Sequence, residues 1–120
     1  MMENRDFYDI WGGKIDELFK ELGISCGTKG EEYLRELVAW YRPGKPMQVC
    51  LAEVGALLGA SPRAVERTAR AAILRGCSRL GYSFEAWNGL FGSTISPATG
   101  APTLAEFVRR VRREVCGRNT

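Results

Sequence analysis

The chain of 120 residues contains no histidine. This removes the side chain most used for proton transfer near neutral pH and the commonest nitrogen ligand for metals. Its four cysteines, Cys26, Cys50, Cys77 and Cys116, show no Cys-x-x-Cys spacing. A zinc site would need all four thiolates to converge from scattered positions, so idle thiols in a reducing cytosol are expected, with no metal and no cofactor. No apolar run approaches the ~20 residues that cross a bilayer. The charged start, Met1-Met2-Glu3-Asn4-Arg5-Asp6, lacks the apolar core of a secretory signal. A cytoplasmic protein without a membrane partner is expected. No paired carboxylates and no nucleophile motif stand on a recognisable scaffold, so the chain is not expected to be an enzyme.

Lysine is missing from the second half. Residues 1–59 carry 7 Lys/Arg against 10 Asp/Glu, a charge of −3; residues 60–120 carry 10 against 4, a charge of +6, all of it arginine. Arginine presents a rigid donor fork suited to phosphates and guanine edges. This asymmetry points to a polyanionic partner, with a plain solvated surface as the alternative.

The apolar fraction of 45% is ordinary for a globular protein. Periodicity is helical throughout, with no strand-like alternation, no repeats and no low-complexity linker. Trp11, Ile15, Leu18, Phe19 and Leu22 fall on one stripe, with Gly12-Gly13 near its start. Thr28-Lys29-Gly30-Glu31 is a capping box ahead of Tyr33, Leu34, Leu37, Val38 and Tyr41, and Arg42-Pro43-Gly44 ends that helix. A third helix is expected over Gln48–Leu58, a fourth from Ser61 to near Gly81, and a short one around Ser83–Leu90. A polar loop over Ser93–Pro102 follows. A second capping box, Thr103-Leu104-Ala105-Glu106, opens a last helix with Phe107, Val108, Val111 and Val115 on one face. The expected fold is all-α: about six helices in one compact domain over 15–120, with residues 1–14 as an N-terminal extension.

Residues 54–65 carry the spacing of a helix-turn-helix. Gly55 falls where two helices cross too closely for a side chain. Gly59 falls in the tight turn, where a positive backbone angle is needed. Val65 falls where a branched residue locks the second helix onto the first. An ordinary αα-hairpin shares part of this pattern. Ser61 as N-cap with Pro62 at the first helical position sharpens it.

With ~100° per residue, Ala69, Ala72, Ile73 and Gly76 share the side of Val65. Arg63, Arg67 and Arg70 project together from the opposite side, in the first half of the helix, the half that enters the major groove in such motifs. Arginine bonds guanine bidentately, and a carboxylate such as Glu66 accepts from cytosine. Glu66 is equally placed to pair with Arg70 at i+4 and steady it. Ser61 would serve a backbone phosphate through the helix-start amides. Arg109, Arg110, Arg112 and Arg113 spread around the exposed side of the last helix, mostly as a solvated helix end.

Three ordered segments carry a family resemblance: Val65-Glu66-Arg67-x-x-Arg70-x-Ala72-Ile73, Leu90-Phe91-Gly92-x-Thr94-Ile95-Ser96, and Gly100-x-Pro102-Thr103-x-x-Glu106-Phe107. Together with Lys29-Gly30-x-x-Tyr33-Leu34-Arg35, they make residues 15–115 resemble the DNA-binding effector domain of the stage-zero sporulation response regulator. The resemblance implies a six-helix domain that binds short DNA boxes at sporulation promoters, in head-to-tail copies on tandem boxes. It assigns Glu66, Arg67 and Arg70 to the recognition helix. RNA polymerase is a further expected partner. Ala64, Ala71 and Leu51-Ala52 depart from the family pattern, which bears on base preference and not on the DNA-binding class. No receiver domain with a phosphoacceptor Asp is expected in residues 1–14. A different class of function, an interaction module that pairs or competes with a full-length regulator, would be favoured by exposed apolar residues on the last helix.

Overall fold

The computed structural model describes residues 3–78 and 84–117, without the side chains of 3–5 and 84. Six helices follow in order: α1 (Glu3–Glu21), α2 (Lys29–Trp40), α3 (Met47–Leu58), α4 (Pro62–Cys77), α5 (Phe84–Phe91) and α6 (Leu104–Cys116), with a 3₁₀ turn at Gly92–Thr94. No strand occurs among the described residues, so the chain is an all-α single domain. No described helix is long and apolar enough to cross a membrane.

Residues 3–14 of the expected N-terminal extension belong to α1, which runs through Gly12-Gly13 without a break. Two interior glycines cost about 1 kcal/mol each relative to alanine. Burial of Phe7 offsets much of that: a phenylalanine taken from water contributes roughly 1.5–3 kcal/mol, and Phe7 joins Ile15, Phe19 and Leu22 in the core. The Arg112 guanidinium lies 4.7 Å from the Phe7 ring centroid, so α6 also holds this end of α1. The expected stripe partners Trp11 and Leu18 are only half-buried.

α2 is the central element, packed against α1, α3, α4 and α6. It buries Tyr33, Leu34, Leu37 and Val38. Its start matches the capping chemistry with one shift. The Thr28 hydroxyl accepts from the Glu31 amide at 3.1 Å, while the Glu31 carboxylate accepts from Gly27, one residue before the cap. Thr28→Ala is expected to cost about 1 kcal/mol, the usual value of an N-cap side chain; a urea titration with an unchanged slope checks it. At the second box only half the exchange forms: Thr103 accepts from the Glu106 amide, but the Glu106 carboxylate turns to Arg109 and Arg110.

The end of α2 closes by long-range chemistry. Arg112 donates to the Val38 and Ala39 carbonyls at 2.7 and 3.2 Å. Arg42 donates to Ala39 and Tyr41. Cations suit the negative end of a helix dipole. Trp87 donates its indole N–H to the Leu22 carbonyl at 2.8 Å. Its ring lies against Phe91 and Phe107, which stack at 5.4 Å. This cluster joins α5 and α6 to the end of α1. α4 ends at Cys77 with Ser78 as cap; its expected continuation to Gly81 and the start of the short helix at Ser83 lie outside the described residues.

Candidate functional site

The α3–α4 unit is held by backbone proximity. A Cβ built on Gly55 would stand 2.4 Å from the Ala60 carbonyl oxygen and 3.5 Å from the Pro62 nitrogen. Gly55's own carbonyl accepts from the Ala60 amide at 2.9 Å. Gly59 ends α3 at φ 73°, the left-handed region that favours glycine. Val65 is fully buried, as are Val54 on α3 and Ala69 further along α4. Gly55 therefore lies against the backbone of the α3–α4 turn, Gly59 takes a left-handed conformation in it, and Val65 is buried behind it.

At the start of α4 the Ser61 hydroxyl accepts from the Ala64 amide at 3.1 Å. The Ser61 carbonyl takes the Val65 amide, and Pro62 has none to offer. Arg63 is left as the source of a free amide there, so Ser61 organises the helix start more than it donates from it.

Arg63, Glu66, Arg67 and Arg70 line one shallow open depression together with Ala71 and Leu74. The three arginines are exposed. Arg63 and Arg67 have no ion pair or hydrogen bond among the described residues, whereas Arg70 pairs with Glu66 at 3.5 Å. The pairing leaves Arg70 63% and Glu66 41% exposed, so both remain open to a partner. An i,i+4 pair of this kind contributes only about 0.3–0.5 kcal/mol. It orients Arg70 without consuming it. The surface thus presents guanidinium donors with one adjustable carboxylate acceptor.

Leu74 belongs to this face and is absent from the expected set. It is 47% exposed, and nine residues beyond Val65 it falls about 180° from the buried side. The signal was in the helical angle; attention to arginine alone passes over it. Leu74 adds an exposed apolar side chain beside the guanidinium groups.

The cysteines do not gather. Cys26 is exposed, Cys50 buried, Cys77 and Cys116 half-buried, and all four are free. Burial pushes the Cys77 thiol up to about 11. It also raises Cys50 and Cys116, against nearby cations that pull each of them back. These three thiols stay protonated at neutral pH and are poor nucleophiles and ligands in that form. No group of three or more potential metal ligands occurs among the described residues.

The chain matches no protein-family model, no curated protein and no solved structure.

Proposed function

We propose that this chain is a sequence-specific, double-stranded-DNA-binding transcription regulator in which α3 and α4 form a helix-turn-helix and α4 enters the major groove. One observation carries the reading: Arg63, Arg67 and Arg70 share an exposed face of a helix set behind a tight glycine turn, with Glu66 among them. Arg67 and Arg70 are the groups to contact guanine edges, Arg63 and the start of α4 to contact a phosphate, and Glu66 to accept from cytosine or steer Arg70. The resemblance in Val65-Glu66-Arg67 and the two downstream segments extends the proposal to sporulation-type promoters, tandem head-to-tail occupancy and contact with RNA polymerase.

The rival interaction module loses its main support on α6. Leu104, Phe107, Val108, Val111 and Val115 are all buried, and the large apolar residues most exposed among those described, Ile10, Val49, Leu57 and Leu74, are dispersed over α1, α3 and α4. Scattered exposed apolar residues need no partner to explain them.

The test is selection from random-sequence duplexes followed by a salt titration. If 4–6 phosphates are neutralised, affinity for the selected box falls with salt at a log–log slope of about −4 to −5. A slope near zero, or no binding at low salt, defeats the proposal.

A further inference from the structure

A second cationic surface lies outside the α4 face. α6 turns its apolar side inward, and Arg109 and Arg113, one turn apart, are exposed on the other. Together with Arg112, Tyr41 and Pro43 they line a shallow open cavity. Arg42 crowds the same place: burial first, and then the Arg42 charge, push the Arg112 guanidinium below its ordinary value. Arg42 and Arg112 are tied to the carbonyls that end α2. Arg109 shares the Glu106 carboxylate with Arg110. The Arg113 carbonyl accepts from the Gly117 amide at the end of α6, and the Arg113 guanidinium has no ion pair or hydrogen bond among the described residues. Three guanidinium groups thus line the cavity, with Arg42 beside Arg112 and no carboxylate in the lining, which is an attraction for an anion.

The position of this surface indicates which anion. A groove is lined by Gln48 of α3, Glu66, Arg70 and Leu74 of α4, Thr103 at the cap of α6 and Ala105 within α6. Glu66, Arg70 and Leu74 also line the α4 depression, so the two hollows share an edge. Ala105 lies one helical turn before Arg109. The groove thus leads from the α4 arginines to the start of α6, one turn short of Arg109. From Ala105 to Arg113 is roughly 12 Å at 1.5 Å per residue, a length that spans about three phosphates of one strand at ~3.4 Å each along the duplex axis.

We infer that Arg109 and Arg113 hold backbone phosphates of the DNA strand flanking the segment that α4 reads. The inference rests on the DNA-binding reading and adds to it a site that sets affinity and footprint without choosing bases. Phosphate contacts fix register and carry no sequence information directly.

The experiment compares the full chain with the double variant Arg109→Gln/Arg113→Gln by fluorescence anisotropy across a salt series. Three duplexes are used: the selected box with about ten flanking base pairs, the same box trimmed flush, and a random sequence. On the flanked box the salt slope is expected to flatten by about 2, and affinity at 0.1 M salt to fall roughly 10- to 60-fold. Affinity for the random duplex should fall by a similar factor, base preference should not change, and the trimmed box should show a smaller loss. Arg109→Lys/Arg113→Lys should keep the parental slope, since lysine retains the charge. Both arginines are exposed, so thermal melting should barely move. An unchanged slope and affinity in the glutamine variant, while the parent binds the box, overturns the inference and leaves the DNA-binding reading standing; the patch would then be free for another anion, such as an acidic protein segment. A parent that binds none of the three duplexes overturns both.

Discussion

Gly55→Val is expected to lower stability by about 3 kcal/mol, near the upper end of the usual cost of overpacking. A Cβ at this position meets the Ala60 carbonyl oxygen at 2.4 Å, and that atom is backbone, not the end of a flexible side chain. Relief requires the turn to open. Opening lengthens the Gly55-to-Ala60 hydrogen bond, now 2.9 Å, and lifts α4 away from α3. Val65 and Val54, both fully buried, would lose contact with each other's elements. Gly59→Ala provides the contrast. A Cβ there meets nothing within 4 Å, and the penalty comes only from φ 73°, roughly 1–2 kcal/mol for a residue with a side chain. Urea titrations of the two variants separate steric from conformational cost. A loss below about 1 kcal/mol for Gly55→Val means that the α3–α4 crossing gives way easily and does not fix the arginine face.

What the sequence made legible was local. Ser61-Pro62 announces the start of α4 because cap and first-turn chemistry lie within four residues of each other. Thr28 and Thr103 announce their helices for the same reason. The onset of α1 was not legible: two glycines argue for a late start, and the opposing term, Phe7 in the core under Arg112, depends on residues about a hundred positions apart. The closure of α2 was hidden in the same way. Its last carbonyls are taken by Arg112, 74 residues from Val38, while periodicity on α6 reads that arginine as solvated. Glu106 shows a competition that a motif cannot resolve. A capping box sends its carboxylate back to the cap amide, but two arginines one turn ahead attract it more strongly. On α4 the helical angle puts Arg63, Arg67, Arg70 and Leu74 on a common face, and only the three arginines stand out there by their charge.

Arg67→Ala should reduce affinity for the selected box by about 1–3 kcal/mol, roughly 5- to 150-fold, and relax preference at one base pair. Arg67 is exposed on α4 and has no ion pair or hydrogen bond among the described residues. It lies more than a turn inside the helix, so neither capping nor the helix dipole gives it a structural task. Folding should be nearly intact, since an exposed change away from such features costs within about 0.5 kcal/mol. Arg70→Ala is the informative neighbour. Its removal also frees Glu66 from the 3.5 Å pair, leaving an unneutralised carboxylate facing the duplex, so its loss of affinity should exceed what removing one donor explains. Glu66→Gln/Arg70→Ala should then recover part of that loss. A guanine contact at Arg67 lowers affinity for the selected box and leaves a one-base variant at that position little changed. A phosphate contact lowers both alike, as expected for Arg109 and Arg113. If Arg67→Ala binds the selected box as tightly as the parent, the α4 face is misassigned, and the unpaired arginines there belong to a solvated surface.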